Sequence, residues 1–340
     1  MKRVLLVNFA ECPENLHFER AFARAAAPRR GLAVDVLHDF DYHYDFIGTQ
    51  EPPRGRRTRY AGLERLKASF RGCDALVLLD FPKRARCAAA FLWLLRHAPA
   101  ARKYYVANHL IPMPGQNVAA DLARRWRALS GVQAGWMLES DDRTLWAAAG
   151  LDGPRLRTRG YAADCVYYAP SGAPAGDYVF SAGSAGRDFP ALARGAALAG
   201  FRLKVFTDSR AGALPAGAEA APLAGNLHNL KAAAEGAAAV AIPVADGCRN
   251  EAAGNSIAFL SMALGRPVLA RRTPYMERFI EDGVNGFLYS RLSPGSLARG
   301  LRRVRALGPA GLRRLGAAAR RTVLRKASLD RFCSEFVRLL

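Results

Sequence analysis

The chain has 340 residues, of which 51% are hydrophobic and 23% charged, so it can bury ordinary cores and is not an intrinsically disordered polymer. Fifty Lys and Arg residues against 29 Asp and Glu give a formal net charge of +21, which points to an anionic partner. The longest uncharged apolar runs, 88–95 and 236–245, are too short to cross a bilayer, and the first apolar run stops at Asn8, so we expect neither a membrane-spanning helix nor a signal peptide.

Short apolar runs alternate with helical segments through the first half of the chain. The runs of strand length are 4–7, 33–37, 75–79 and 104–107. The helical segments are 14–27, 85–96 and 118–129. Short buried strands that alternate with helices are typical of a parallel, doubly wound sheet.

The second half repeats this pattern. Strands are predicted at 178–181, 203–207, 238–243 and 267–270, and helices at 189–199, 227–234, 255–264 and 275–280. Between the halves, residues 169–177 hold two prolines and two glycines, which makes this segment the best linker candidate. We therefore predict an α/β fold with two Rossmann-like, doubly wound domains at 1–168 and 178–322 that face a central cleft.

A candidate phosphate site lies in the second half, where Gly254, Asn255 and Ser256 precede an apolar helical run. Glycine followed by Asn and Ser at a helix start leaves backbone N–H groups at the positive end of the helix dipole. An ordinary helix N-cap is the alternative interpretation of these residues.

The segment Asn250–Tyr289 resembles the nucleotide-binding segment of GT-B glycosyltransferases, especially the large retaining family 4 typified by sucrose and glycogen synthases. Ser261–Val268 (SMALGRPV) and Glu281–Gly286 (EDGVNG) match its EAMAxGxPV and EDGxxG stretches. Gly160–Asp164, followed by Pro170, resembles the family's inter-domain signature. The basic segment 323–340 resembles its C-terminal helix, which crosses back onto the first domain.

The resemblance implies a donor site in the second domain. Residues 180–188 look like the family's opening strand and glycine turn, so we expect Gly183 and Ser184 to bind the donor and Arg187 to bind its pyrophosphate. The planar guanidinium of Arg187 can engage two phosphate oxygens at once. The alternative is a surface arginine paired with Asp188.

The sequence departs from the family pattern at its paired glutamates. In register with SMALGRPV, these positions hold Ala252 and Leu260. The family's second glutamate normally holds the nucleotide ribose, so this chain lacks that carboxylate at position 260. We expect Glu251 to contact the donor sugar instead, the alternative being an exposed loop carboxylate. The lysine that the family carries soon after the glycine turn is also missing, which indicates either a specialised donor or a chain that has lost activity.

Candidate residues in the first domain follow predicted strands. His109 ends the strand at 104–107, at the edge where ligands sit, and the family often has a histidine there that bonds the donor sugar. A structural histidine is the alternative. Asn8 and Glu11 follow the first strand, where GT-B acceptor sites usually lie. If the reaction inverts configuration, Glu11 or His109 is the candidate base.

The run His38–Asp45 contains three aspartates and two histidines. It has three interpretations: an acceptor-binding loop, a plain surface and, least favoured, a metal site. GT-B enzymes hold the leaving diphosphate with helix dipoles and cations, so no metal or other cofactor is expected.

The six cysteines form no CxxC pair, which fits a reducing, cytoplasmic compartment without structural zinc.

The cations form two clusters, one over 54–71 and one over the last 42 residues, which carry twelve cations. A solvated surface, an anionic membrane and nucleic acid are the alternatives for both, and nucleic acid ranks last because no recognition motif accompanies the charge. If the C-terminal cluster binds the inner face of a membrane peripherally, neutralising it should abolish vesicle binding. The residues to neutralise are Arg313, Arg314, Arg320 and Arg321.

The resemblance implies a glycosyltransferase that moves a sugar from a nucleotide-diphosphate sugar to a hydroxyl of a glycan or lipid-linked acceptor. Polysaccharide or glycolipid biosynthesis with retention of configuration is expected. The alternatives are a non-catalytic nucleotide-sugar-binding protein, a sugar-nucleotide epimerase of the same fold, and a polyanion-binding protein that rests on charge alone.

Overall fold

The computed structural model describes two compact units, residues 1–161 with 330–340 and residues 162–329. The described residues are 1–9, 13–39, 57–62, 66–67, 72–82, 85–98, 102–107, 129, 131–137, 156–158, 160–184, 186–208, 217–223, 229–248 and 253–340. The strands of the first unit are β1 (Lys2–Asn8), β2 (Leu32–His38), β3 (Arg57–Arg59), β4 (Ala75–Leu79), β5 (Arg102–Ala107), β6 (Ala134–Met137) and β7 (Leu156–Thr158). Those of the second are β8 (Tyr178–Ala182), β9 (Arg202–Phe206), β10 (Ala218–Ala221), β11 (Ala239–Ala241), β12 (Val268–Arg271) and β13 (Phe287–Tyr289). The helices are α1 (Pro13–Ala26), α2 (Ala85–His97), α3 (Phe189–Leu198), α4 (Leu230–Glu235), α5 (Asn255–Ala263), α6 (Pro274–Glu277), α7 (Pro294–Ala306), α8 (Gly308–Lys326) and α9 (Leu329–Val337).

The first unit is built on a seven-stranded parallel sheet in the order β3-β2-β1-β4-β5-β6-β7. The strand order reverses between β1 and β4, so the topological switch point of this sheet lies at the end of β1. The apolar runs of β1 and β4 are buried, as expected for central parallel strands covered on both faces.

The C-terminal helix α9 packs into the first unit through aromatic side chains. Phe336 lies 4.7 Å from the ring of Trp136 and 5.8 Å from that of Phe22, measured between centroids. Arg24 of α1 forms an ion pair with Asp330 at 2.7 Å. The last eleven residues are therefore part of the first unit's core.

The second unit holds a six-stranded parallel sheet in the order β10-β9-β8-β11-β12-β13, with its switch point between β8 and β11. Alternate residues of β8, β9 and β11 face α3 and α7, and they form one core with Leu192 and Leu297. Helix α5 is almost wholly buried, which explains its continuous apolar sequence. Both sheets confirm the predicted α/β fold class.

The segment 162–177 is hydrogen-bonded within the second unit. The Asp164 carboxylate accepts from the backbone N–H groups of Val166 and Tyr167 at 3.3 and 3.1 Å. Ala163 pairs with Ser328, and the N–H of Gly176 donates to the carbonyl of Gly236 at 2.8 Å. The Pro/Gly-rich stretch 169–177, expected as a linker, is also attached to the second unit: the Ser171 N–H donates to the Glu235 carboxylate, and the Arg266 guanidinium donates to the Ala173 carbonyl at 2.6 Å.

Arg320 is one of the four arginines expected to contact a membrane, but the structure shows its guanidinium bonded to backbone carbonyls of the second unit. Its guanidinium is partly buried and donates to the carbonyls of Tyr168 at 3.1 Å, Cys165 at 3.3 Å and Ala263. It therefore joins α8 to α5 and to the segment 165–168 of the same unit.

The remaining differences from the predicted elements concern short strands and the helices α7 and α8, which the sequence analysis does not predict. β3, β6, β7, β10 and β13 have three or four residues each and were not predicted. The strand expected at 238–243 is limited to Ala239–Ala241. The helix expected at 118–129 lies outside the described residues except for Leu129. Within the described ranges, no helix combines the length and the hydrophobicity needed to span a bilayer.

Candidate functional site

The candidate site of the second unit lies at the carboxyl ends of β8 and β11. The glycine turn 183–188 follows β8, and the chain after β11 leads to the start of α5. Because the strand order reverses between these two strands, their ends border the crevice in which doubly wound sheets bind ligands. The structure thus brings the two segments singled out in the sequence to one place.

The glycine turn is held to the chain that follows β11. Arg187 forms an antiparallel bridge with Val244, and the Asp188 N–H donates to the Pro243 carbonyl at 2.9 Å. The Asp188 carboxylate accepts from the N–H of Ala191 at 2.8 Å and so caps α3. Asp188 is therefore an N-cap and not the ion-pair partner of Arg187.

The guanidinium of Arg187 lies between two glycines. A β-carbon on Gly183 or on Gly254 would stand 3.1 Å from Arg187 Nη2 in either case. Both glycines have positive φ, +116° and +88°, which favours glycine at these positions. The absence of both side chains therefore makes room for the guanidinium.

Burial lowers the pKa of Arg187, because the cation loses water of hydration, and the nearby Tyr289 and Cys248 oppose this shift only in part. A desolvated cation is stabilised by an anion placed against it. Arg187 is thus suited to phosphate oxygens.

The first turn of α5 contributes backbone N–H groups to the same place. Its N-cap is Gly254, which offers no side-chain oxygen to the helix. Asn255 is buried, and its Nδ2 is directed to the Tyr275 hydroxyl at 3.4 Å. Ser256 is partly exposed. The helix start therefore has an anion-binding geometry that uses backbone donors, since the first N–H groups of a helix have no intrahelical acceptor.

Two residues that the sequence analysis does not single out hold the chain that follows β11, beside Arg187. The Tyr289 hydroxyl donates to the Ile242 carbonyl and accepts from the Val244 N–H, both at 2.8 Å, and burial raises the pKa of this phenol. Arg271 donates to the carbonyls of Ala245 at 3.0 Å and Asp246 at 3.2 Å. Neither residue matches a motif, and only their positions near the ends of β12 and β13 show what they do.

Ser184 is exposed at the edge of the site. Its hydroxyl accepts from the backbone N–H of Asp208 at 3.0 Å, and the Gly183 N–H donates to the Phe206 carbonyl at 3.0 Å. These bonds tie the glycine turn to the end of β9. Donor binding by Ser184 stays a prediction.

In the first unit, Asn8 lies at the end of β1, beside the switch point of its sheet. Its Nδ2 donates to Glu19 at 2.6 Å, and its Oδ1 accepts from Asn15 at 3.1 Å. All three side chains are buried, so this network joins β1 to α1. Acceptor binding by Asn8 stays a prediction, beside this structural role.

Asp39, which begins the acidic run that follows β2, is buried against α2. Its carboxylate accepts from Arg86 at 2.9 Å and from the Cys87 thiol at 2.8 Å. Within the described residues, no group of three or more His, Cys, Asp or Glu side chains is placed to hold a metal ion. The rest of the run lies outside these residues.

Glu11, His109 and Glu251 lie outside the described residues, so their predicted roles stay predictions. Leu260, which occupies the position of the family's second glutamate, is buried in α5. It contributes to the core of the second unit and provides no polar group for a ribose.

Comparisons with known proteins bear on the fold. No protein-family model matches the sequence, and no curated protein matches it at a significant level. Solved structures do match over nearly the full chain. HepE of Anabaena, in complex with UDP and glucose, has a TM-score of 0.69 at 12% identity and covers 100% of both chains. Sucrose-phosphate synthase of Thermosynechococcus elongatus has a TM-score of 0.65 at 15% identity, covering 100% of this chain and 98% of its own.

A glycosyltransferase of Rickettsia africae has a TM-score of 0.67 at 11% identity, covering 99% of this chain and 97% of its own. The chain has the GT-B fold. At these identities the similarity establishes the fold alone. Within the GT-B fold, the unit that carries the resemblance at 180–188 and 250–289 is also the unit that holds the Arg187 site.

Proposed function

We propose that the chain is a glycosyltransferase that moves a sugar from a nucleotide-diphosphate sugar to an acceptor hydroxyl. The observation that carries this proposal is the position of the Arg187 guanidinium, between Gly183 and Gly254 and beside the first turn of α5, at the switch point of the second sheet. HepE, which shares the fold, has been solved with UDP and with UDP-glucose. That similarity supports a diphosphate as the anion.

Negative charge builds on the leaving diphosphate as the bond to the sugar breaks. The Arg187 cation and the N–H groups of Gly254–Ser256 would stabilise this charge, an effect often worth several kcal/mol in enzymes. Since both kinds of donor are fixed before the substrate arrives, we propose that no metal ion is required. Glu251 and His109 are the residues proposed to contact the donor sugar.

We propose that the reaction retains configuration, as the family resemblance implies. The acceptor oxygen bonds to the anomeric carbon on the face that the diphosphate leaves, and the acceptor proton passes to a diphosphate oxygen. No protein base is then needed. If the configuration inverts, the proton must pass to a side chain of the first unit, and Glu11 or His109 is the candidate.

The positive net charge of the chain supports a proposal for the acceptor class. A chain with a net charge of +21 is suited to an acceptor at an anionic membrane, such as a lipid-linked glycan in polysaccharide or glycolipid biosynthesis. We propose that Asn8 and Glu11 lie on the acceptor side.

A second candidate function is nucleotide-sugar binding without turnover. The buried Leu260 favours it, because this position holds the ribose-binding glutamate in the resembling family. A sugar-nucleotide epimerase is the third, since it would use the same donor site without an acceptor.

The test is product analysis by mass spectrometry. The protein is incubated with UDP-, GDP- and dTDP-sugars, with and without a membrane extract as acceptor source, alongside Arg187→Ala and Arg194→Ala. Arg194 is an exposed arginine of α3 in the same unit and serves as the matched control. Transfer that needs acceptor and is lost only in Arg187→Ala supports the proposal. An isomerised sugar without acceptor indicates an epimerase, and binding without product indicates the second candidate.

A further inference from the structure

Helix α8 has a cationic face. Its 19 residues include six Lys and Arg and no acidic residue. The exposed positions include Arg313, Arg314, Arg321 and Arg325, together with Ala317 and Leu324, whose exposed fraction is 42%. At about 100° per residue these positions fall within about 120° of the helix circumference and span about 18 Å of its length. We call this surface the α8 face.

Three of the four arginines of the α8 face are available to a partner. Arg302 and Arg305 of α7 donate to backbone carbonyls, and Arg303 pairs with Asp282 at 3.0 Å. By contrast, Arg313, Arg314 and Arg321 make no ion pair or hydrogen bond with the part of the chain that the structure describes. Three neighbouring guanidinium groups thus remain for phosphate oxygens from outside the molecule.

We propose that the α8 face docks the protein on an anionic lipid bilayer. A row of arginines matches a plane of anionic headgroups, and each cation near such a surface contributes to binding. Leu324 and Ala317 lie among the arginines and supply apolar contact at the headgroup level.

Nucleic acid fits this surface less well, because α8 carries no aromatic side chain on which a base could stack. This inference rests on the proposed function only in one respect, since a lipid-linked acceptor gives the protein a reason to bind a membrane. Lipid binding itself requires neither donor nor acceptor.

The test is sedimentation of the full chain with phosphatidylcholine vesicles that contain or lack phosphatidylglycerol. We compare a triple variant, Arg313→Gln with Arg314→Gln and Arg321→Gln, with a control triple, Arg194→Gln with Arg291→Gln and Arg299→Gln. All six arginines are exposed and lie in the second unit, so both variants lose the same charge. Circular dichroism confirms that each variant is folded.

The expected result is binding to the anionic vesicles only, with a partition coefficient that falls on the order of 100-fold in the α8 triple and much less in the control. Equal losses in both triples would overturn the proposal, because net charge would then suffice. Absence of binding to anionic vesicles would also overturn it, whether or not the protein binds a DNA or RNA duplex. Nucleotide-diphosphate affinity should be the same in the α8 triple as in the unaltered chain, so the donor site and the docking surface fail independently.

Discussion

The Nη2 atom of Arg187 lies 3.1 Å from the point that a β-carbon on Gly254 would occupy. The positions of Gly254 and Arg187 therefore depend on each other, because the missing side chain of Gly254 leaves the space that the Arg187 guanidinium occupies. Gly254 supplies the helix N-terminus and Arg187 the cation. A change at either residue should alter the same anion site.

We expect Gly254→Ala to weaken binding of a nucleotide diphosphate at least about tenfold. The new β-carbon would crowd Arg187 and overlap the Ile242 side chain, and the φ of +88° adds about 1 to 2 kcal/mol of backbone strain. Isothermal titration calorimetry measures the loss. Gly247→Ala is the matched control, because a β-carbon there meets nothing within 4 Å. Equal affinity in the two variants would show that the site does not depend on this coupling.

Arg320→Met should destabilise the second unit by at least about 2 kcal/mol. The substitution removes hydrogen bonds from a charged donor to the carbonyls of Cys165, Tyr168 and Ala263. The urea midpoint reports the change. Arg321→Met, at an exposed neighbouring position, should stay within about 0.5 kcal/mol of the unaltered chain. An unchanged urea midpoint in Arg320→Met would mean that these hydrogen bonds add nothing to stability.

Helices α5 and α8 approach so closely at Gly316 that a side chain cannot be accommodated. A β-carbon on Gly316 would overlap the carbonyl oxygen of Gly265, which lies just beyond the end of α5, and would stand 2.9 Å from the carbonyl carbon of Gly265. Gly316→Ala should therefore cost about 1 to 3 kcal/mol, although alanine favours helix. Gly295→Ala, in α7, is the control, since the nearest atom to its β-carbon is 3.9 Å away. Calorimetric melting of both variants decides the matter, and equal melting temperatures would contradict the expected crowding.

The Cys87 thiol predicts how stability depends on pH in alkaline solution. Burial, followed by the nearby Asp39, raises the pKa of Cys87 to about 11 from an ordinary value of 9.0. Between these values the unfolded chain releases the thiol proton and the folded chain keeps it, so the free energy of unfolding falls as the pH rises. Cys87→Ser keeps a donor toward Asp39 without this titration, and its stability should decline less steeply over the same window. Parallel curves of urea midpoint against pH would contradict this expectation.

The architecture could be predicted from the sequence where burial imposes a pattern. Val4–Val7 and Ala75–Leu79 are continuous apolar runs because they lie in the centre of a parallel sheet. Strand β10 has the sequence AEAA, which carries no strand preference. It is extended because it pairs with β9, and that contact is not visible in the local sequence.

The candidate site divides in the same way. The glycine turn and the start of α5 match local motifs, so Arg187 and Gly254 could be found by inspection. Tyr289 bonds to Val244, 45 residues away, and Arg271 bonds to Ala245, 26 residues away. No local sequence pattern encodes such contacts. The structural role of Arg320 is hidden in the sequence for a related reason, because its acceptors are backbone carbonyls contributed by two distant segments.

The most direct test of the donor site is calorimetric titration of the folded chain with UDP, GDP, dTDP and CMP, in the unaltered form and as Arg187→Met and Arg194→Met. We expect one nucleotide diphosphate to bind, with an affinity at least about tenfold weaker in Arg187→Met and unchanged in Arg194→Met. Failure of all four nucleotides to bind, or equal binding by the Arg187 variant, would contradict the assignment of this site to a nucleotide-diphosphate sugar.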